Sequence, residues 1–381
     1  MKVTHVISSL DKIYGGPSRS VPHLCESLAK NNIDTTLLSI ESQTPNLPNL
    51  SSNVKTKLFH FMPPRKISYS IDLGRELQKI ETDIFHGHGI WQLPTHQMAK
   101  IARERGKPYV ITPRGMLEEW SLEQKSIQKN IFLKLFQLKD LKLANCLHAT
   151  ASNELMSIRK LGLENPVAII PNGINTDIYK PSDRPKLNTK KRILFLSRIH
   201  KKKGINFLIE AWASIYKKFP DWEVQIVGVN EDSYLESMKQ LIQKNDIVES
   251  IKIIEPVYGT AKIKLYQESD LFVLPSHSEN FGIVVAEALS SGVPVITTKG
   301  TPWEELNSNE CGWWINIGTE PLISSLTEAL LMTDSARHKL GQNGRQLILD
   351  KYSIEHTGFM MKQVYDWMLN NNEKPDFVFN R

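Results

Sequence analysis

Short apolar runs recur along this chain, and most show no clean alternation with polar residues. In the first half they are Val3–Ser8, Thr35–Ile40, Val54–Phe61, Ile84–His88, Tyr109–Thr112, Cys146–Thr150 and Val167–Ile170. A strand that is apolar on both faces must be covered on both, as in a parallel sheet. Amphipathic stretches separate the runs, among them Val21–Ala29, Ile71–Ile80, Thr95–Arg105 and Ser152–Leu161. Parallel strands need such crossovers, so the pattern predicts an open, doubly wound α/β domain.

The pattern breaks and then restarts. Pro171-Asn172-Gly173 and Lys180-Pro181-Ser182-Asp183-Arg184-Pro185 hold turn formers and no apolar period, so residues 171–190 read as a linker. Beyond it, strands are predicted at Ile193–Leu196, Val224–Val227, Ile251–Ile254, Leu271–Leu274 and Val293–Thr297. Helices are predicted at Ile205–Lys218, Ser233–Lys244, Ala261–Glu268 and Ile283–Ser290. A length of 381 residues suits two domains, here 1–175 and 186–353. The expected fold is α/β, two Rossmann-like doubly wound domains facing a cleft, with ligands at the carboxyl ends of strands.

Composition narrows the classes. Apolar content is 40% and charged content 23%, which suits a globular chain. No run approaches the roughly 20 apolar residues of a membrane span. The first apolar run meets Asp11 and Lys12 too early for a signal-peptide core. Cys25, Cys146 and Cys311 lie far apart without metal-ligand spacing, so a cytoplasmic protein is expected. Residues 1–185 carry 24 Lys+Arg against 17 Asp+Glu, or +7, and the rest 23 against 24, or −1. The basic residues are scattered, without the dense runs of a nucleic-acid tract. An anionic membrane surface fits them better, at about 1 kcal/mol per nearby Lys or Arg.

The densest chemistry lies in Pro275-Ser276-His277-Ser278-Glu279-Asn280-Phe281-Gly282, between the Leu271–Leu274 strand and the helix that Gly282 opens. A helix N-terminus offers unpaired N–H groups and a positive dipole end to an anion. Phe281 and Gly282 would supply those groups, and glycine lets a phosphate approach. Glu279 precedes the helix and Glu287 sits in its second turn. One acid can then face a sugar and the other a ribose, both of which offer hydroxyl donors. On spacing alone, two glutamates eight apart are more simply a cap-region acid and a solvated helix residue. The flanking Ser-x-x-Glu-x-Phe-Gly and Gly292-Val293-Pro294-Val295-Ile296 favour the site.

Arg198 and Lys203 follow the first strand of the second domain, where they can converge on a diphosphate and stabilise a leaving group. A basic surface loop is the alternative, and it suits Lys201 and Lys202. Tyr14-Gly15-Gly16-Pro17 follows the first strand; a tight turn explains it equally well, and no GxGxxG is present there. His86-Gly87-His88-Gly89 ends another strand, with no carboxylate or cysteine at metal spacing. His88, nearer the strand's carboxyl end, is expected to face substrate. No Asp-x-Asp occurs, so no metal is expected and the phosphates must be met by Arg198, Lys203 and backbone N–H groups.

Taken together, these residues resemble the retaining glycosyltransferases of family 4, with the two-Rossmann architecture called GT-B. The likeness runs from Gly15-Gly16 through Ile170-Pro171-Asn172-Gly173-Ile174-Asn175 and Arg198…Lys203-Gly204 to the E-x7-E pair Glu279…Glu287 and Gly292-Val293-Pro294. It implies that the first domain serves the acceptor and the second binds a nucleotide-diphosphate sugar. It implies Arg198 and Lys203 on the diphosphate and Glu279 on the sugar. Asn280, Phe281 and Gly282 would lie beside the donor, Glu287 on the ribose, Gly15 and Gly16 on the phosphate, and Val257 and Tyr258 near the base. The final helix, from about residue 354, is expected to return to the first domain. One departure stands out. Where many members carry a histidine, this chain reads Thr112-Pro113-Arg114-Gly115-Met116, so Arg114 takes that place on the acceptor or sugar side.

The resemblance also implies a glycan or lipid-linked acceptor and a place in bacterial surface-polysaccharide assembly. Leu117–Ala144, apolar with interspersed lysines, reads either as a helix lying on an anionic bilayer at the inner face of the membrane or as an ordinary core-facing helix. Departure of the diphosphate with attack from the same face is expected, since no nucleophile stands out. A nucleotide-sugar 2-epimerase and a transferase with a sucrose- or starch-type soluble acceptor are the alternatives.

Overall fold

A computed structural model describes residues 1–11, 16–41, 52–65, 67–118, 136–182, 190–230, 234–370 and 372–380. Gly15 and most of Leu117–Ala144 lie outside the described residues. The chain forms two compact units: Met1–Gly173 with Ile354–Arg381, and Ile174–Ser353.

The strands are β1 (Lys2–Ile7), β2 (Asp34–Ile40), β3 (Val54–Phe59), β4 (Ile84–His88), β5 (Tyr109–Thr112), β6 (Cys146–Ala149), β7 (Val167–Ile169), β8 (Lys191–Leu196), β9 (Trp222–Val227), β10 (Ile251–Ile254), β11 (Leu271–Leu274), β12 (Val295–Thr298), β13 (Gly312–Ile315) and β14 (Val378–Phe379). The described helices are α1 (Pro17–Lys30), α2 (Ile71–Lys79), α3 (Leu93–Glu104), α4 (Leu138–Lys142), α5 (Ser152–Lys160), α6 (Ile205–Ile215), α7 (Tyr234–Lys244), α8 (Gly259–Gln267), α9 (Ile283–Ser290), α10 (Glu305–Ser308), α11 (Thr319–Leu331), α12 (Asp334–Leu347) and α13 (Ile354–Met368).

In the first unit the sheet order is β14-β7-β6-β5-β4-β1-β2-β3, parallel except for β14. In the second it is β10-β9-β8-β11-β12-β13, all parallel. Central strands such as β4, β5 and β11 are buried along their whole length, which is why they read as continuous apolar runs. The strand order reverses at β1 in one sheet and at β8 in the other. The loops leaving β1 and β4, and those leaving β8 and β11, therefore open at the place where doubly wound sheets hold ligands.

The last helix belongs to the first unit. Gly358 lets α13 touch α1 closely, since a Cβ there would meet Ser27 Oγ at 1.8 Å. The Ser27 hydroxyl donates to the Ile354 carbonyl at 2.7 Å. The sequence reading ran the linker from 171 to 190, yet Ile174–Ser182 is part of the second unit. Arg345 Nη1 donates to the Tyr179 carbonyl at 3.1 Å, and Gln267 to the Lys180 carbonyl at 2.9 Å. Among the described residues, no helix is long and apolar enough to cross a membrane.

Candidate active site

In the second unit, the loops after β8 and β11 are stitched together. A short 3₁₀ turn spans Lys201–Lys203, and Gly204 follows with φ +64°. A Cβ at Gly204 would lie 2.1 Å from the Pro275 carbonyl oxygen, so only glycine fits. His277 N–H donates to the Lys202 carbonyl at 2.8 Å. This register buries Lys203 and sets its Nζ 2.5 Å from Glu279 Oε1. Ser276 Oγ donates to the same oxygen at 2.7 Å. Burial pushes the Glu279 carboxyl up. The Lys203 charge and hydrogen bond, the Ser276 hydroxyl and the Lys202 charge outweigh it and hold the group below its ordinary value. Arg198 sits exposed on the same β8 loop.

Gly282 opens α9 with φ +74°, a left-handed value that glycine adopts at less cost than other residues. Phe281 is buried against Trp303, whose Nε1–H donates to the Phe281 carbonyl at 2.6 Å. Asn280 is half-buried beside it. On the second turn of α9, Glu287 is buried rather than solvated. Lys262 Nζ lies 2.7 Å from its Oε1, and the Tyr266 hydroxyl donates to Oε2 at 2.7 Å. Sequence reasoning missed Lys262, Tyr266 and Trp303, and quoted Ser276 in the motif without giving it a partner. Val257 is half-buried on the core, and Tyr258 is exposed at the start of α8.

In the first unit, Gly16 is the N-cap of α1 with an ordinary φ of −54°, and a Cβ there would meet nothing within 4 Å. Neither backbone nor packing demands glycine at this position. The same unit holds a buried polar chain. The Ile170 carbonyl can only accept, so His148 Nε2 donates to it at 2.8 Å, and His148 Nδ1 accepts from the Thr112 hydroxyl at 2.9 Å. The Thr112 oxygen then accepts from His86 Nε2 at 2.7 Å, and the Tyr365 hydroxyl donates to His86 Nδ1 at 2.6 Å. Arg114 can only donate, so His88 Nδ1 accepts from it at 3.2 Å and His88 Nε2 donates to His5 Nδ1 at 3.0 Å. All four rings are neutral in this arrangement. Burial first, and then neighbouring charge such as that of Arg114, push His5 and His148 down to about 3 and hold His86 and His88 well below the usual range.

His88 is 1% exposed beneath Arg114, which corrects the expectation that it faces substrate. Arg114 itself has φ +61° and donates to Ser20 Oγ and Asn172 Oδ1 at 3.2 and 2.6 Å. Burial lowers its guanidinium to about 10. One ring nitrogen each from His5, His86 and His88 lie within 4.8 Å of one another, a spacing a metal could use. The adjacent guanidinium and the hydrogen bonds on every ring nitrogen but His5 Nε2 fit that use poorly.

Known proteins resemble this chain in both units. The profile described as Glycosyl transferases group 1 matches residues 180–347, and that described as Glycosyltransferase Family 4 matches residues 14–178. The capsular polysaccharide biosynthesis glycosyltransferase CapM of Staphylococcus aureus is 29% identical over 56% of this chain and 58% of its own length. The chain thus spans little more than half the length of the curated relatives it first matches. Sucrose-phosphate synthase of Thermosynechococcus elongatus superposes with a TM-score of 0.78 over 98% of this chain and 100% of that one, at 18% identity. Anabaena HepE, solved with UDP, gives 0.75 over 96% and 100%, at 17% identity. These likenesses fix the fold as GT-B. With one profile on each unit and that fold over nearly its whole length, the chain belongs to the group 1, family 4 glycosyltransferases.

Proposed function

We propose that the chain is a retaining, metal-independent transferase that moves a sugar from a nucleotide-diphosphate donor to a glycan or lipid-linked acceptor in bacterial surface-polysaccharide assembly. The observation that carries this reading is the pair of acids about α9, each met by a buried lysine: Glu279 by Lys203 and Glu287 by Lys262. Glu279 would accept from the sugar hydroxyls while Lys203 orients it and lends positive charge to the leaving diphosphate. Arg198 and the amide end of α9 would take the rest of that charge, and Glu287 the ribose. The bond from the anomeric carbon to the diphosphate oxygen breaks, the acceptor oxygen bonds to the same face, and the acceptor proton passes to the departing oxygen. The UDP held by HepE supports a nucleotide donor, and the capsular role in the name of CapM supports the pathway class. The basic first half supports work at the cytoplasmic face of an anionic membrane.

A thermal-shift panel of UDP, GDP, ADP and their sugars tests the reading, because a ligand bound only by the folded state raises the melting temperature. At least one nucleotide should protect the chain. Protection by none of them refutes the proposal.

A further inference from the structure

Between β3 and α2 the usual alternation of side chains is inverted. Ile67, Tyr69 and Ile71 are 38%, 40% and 44% exposed, while Ser68 and Ser70 between them are buried. Met62 joins the outer row at 47% exposed, paired with Tyr69 in an antiparallel bridge where its N–H donates to the Tyr69 carbonyl at 2.7 Å. Hydrogen bonds hold the inner side of the turn. Gln92 donates to Ser68 Oγ at 3.1 Å, Gln97 donates to the Ser70 carbonyl at 2.7 Å, and Ser70 Oγ accepts from the Leu73 N–H at 3.2 Å. The Leu93 N–H, at the start of α3, donates to the Ile67 carbonyl at 2.9 Å. Single exposed apolar residues are ordinary, but a row of four held outward over buried serines marks a contact surface.

Three observations choose the occupant. The first is charge: residues 55–79 carry six Lys or Arg against two acids, a net +4, and Arg65 lies within the turn, its guanidinium 5.6 Å from the Phe61 ring centre. The second is size, since four side chains fall far short of the roughly 20 residues a side that a stable protein interface takes. The third is place. β3, β2, β1 and β4 run parallel, so the turn lies at the same end of the sheet as the loops that leave β1 and β4. An apolar tip with a tyrosine and a basic surround suits the headgroup layer of an anionic bilayer.

We infer that Met62, Ile67, Tyr69 and Ile71 enter the headgroup layer of an anionic bilayer and set that end of the first unit's sheet against the membrane. The inference rests on the membrane-facing part of the function proposed above and names the surface that performs it.

Flotation of the full chain with vesicles of equal parts phosphatidylglycerol and phosphatidylcholine, beside vesicles of phosphatidylcholine alone, tests it. The chain should float with the anionic vesicles, and Ile67→Ser/Tyr69→Ser should bind them about tenfold or more weakly. Both positions are exposed, so this variant should keep its fold and be protected from melting by the same nucleotide as the wild type. Cys25, Cys146 and Cys311 are buried, so an environment-sensitive fluorophore can be placed on Ile67→Cys. Its emission should shift to the blue with anionic vesicles, whereas the same label on Glu104→Cys, exposed at the far end of α3, should not move. Four results each overturn the inference: no wild-type binding, equal binding to neutral and anionic vesicles, equal binding by wild type and double variant, or an unmoved label at position 67. A wild-type dimer that the double variant dissolves overturns it too, since a second copy would then cover the turn. Any of these leaves the donor reading intact if a nucleotide still protects the chain. Protection by none, with vesicle binding as expected, overturns the donor reading alone.

Discussion

Lys203 Nζ lies 2.5 Å from Glu279 Oε1, although the two residues are 76 positions apart in the chain. The sequence reading assigned them to different parts of a donor, the lysine to diphosphate and the acid to sugar. The structure makes them one unit. Lys203→Ala and Glu279→Ala should each lower kcat about 100-fold or more, and the double variant should be little worse than either. Steady-state kinetics of the cycle decide this; losses that multiply in the double variant would mean the residues act separately. Arg198→Ala, an exposed change, should lower kcat with modest effect on the acceptor KM.

Acid should weaken the first unit through its histidines. In the folded chain His5 and His148 take up protons only near pH 3, whereas an unfolded histidine does so near 6.5. Between those values the unfolded state binds more protons. Stability is therefore full above about pH 6.5 and falls as the pH drops toward 3, by up to about 1.4 kcal/mol per pH unit for each histidine. Melting curves between about pH 7 and 5 should show the fall, and His148→Gln should flatten it. A wild-type Tm that stays constant over that range contradicts the neutral-histidine arrangement.

Gly16→Ala should leave the fold alone. The position has a helical φ and open space where the Cβ would go, so stability should change by about 0 to 1 kcal/mol, if anything upward. The expectation that Gly16 lets a donor phosphate approach predicts a raised donor KM in this variant. An unchanged KM overturns that expectation.

Tyr365→Phe removes the donor to His86 Nδ1 and leaves a buried acceptor unmet, at a cost of about 1 to 3 kcal/mol. The loss should appear as faster hydrogen exchange in α13 and β4, with α9 unaffected. Uniform change across both units would refute a local role for this hydrogen bond.

Chelation tests the metal-free reading. Excess EDTA followed by desalting should leave turnover within about twofold of the untreated enzyme, since cations and amide groups are proposed to meet the diphosphate charge. Loss of activity restored by added magnesium would sink that part of the proposal.

The parallel sheets were legible because their central strands are buried on both faces, so burial wrote itself into unbroken apolar runs such as Tyr109–Thr112 and Leu271–Leu274. The reading missed β13, whose Gly312-Trp313-Trp314-Ile315 is only half-buried at a sheet edge. It also missed β14, two residues long and antiparallel. In the candidate site, local features such as the turn at Gly282 were legible, and partners that come from elsewhere were not. Lys262 lies on a helix whose period says nothing about an acid 25 positions on. His5 joins His86 only because β1 and β4 are neighbours with those two residues in register, a fact that exists once the strand order does. Residues 174–182 looked like linker because turn formers surround them, yet hydrogen bonds from Gln267 and Arg345 hold them on the second unit.

The return of α13 to the first unit gives the two halves different histories during synthesis. The ribosome finishes every residue of the second unit by Ser353, and that unit can close its core as soon as it emerges. The first unit is begun earlier and completed later, because Tyr365, whose hydroxyl donates into its histidine chain, is made after Ser353. A nascent chain stalled between the two points would carry a finished second unit joined to an open first one, exposing the side of α1 that α13 covers.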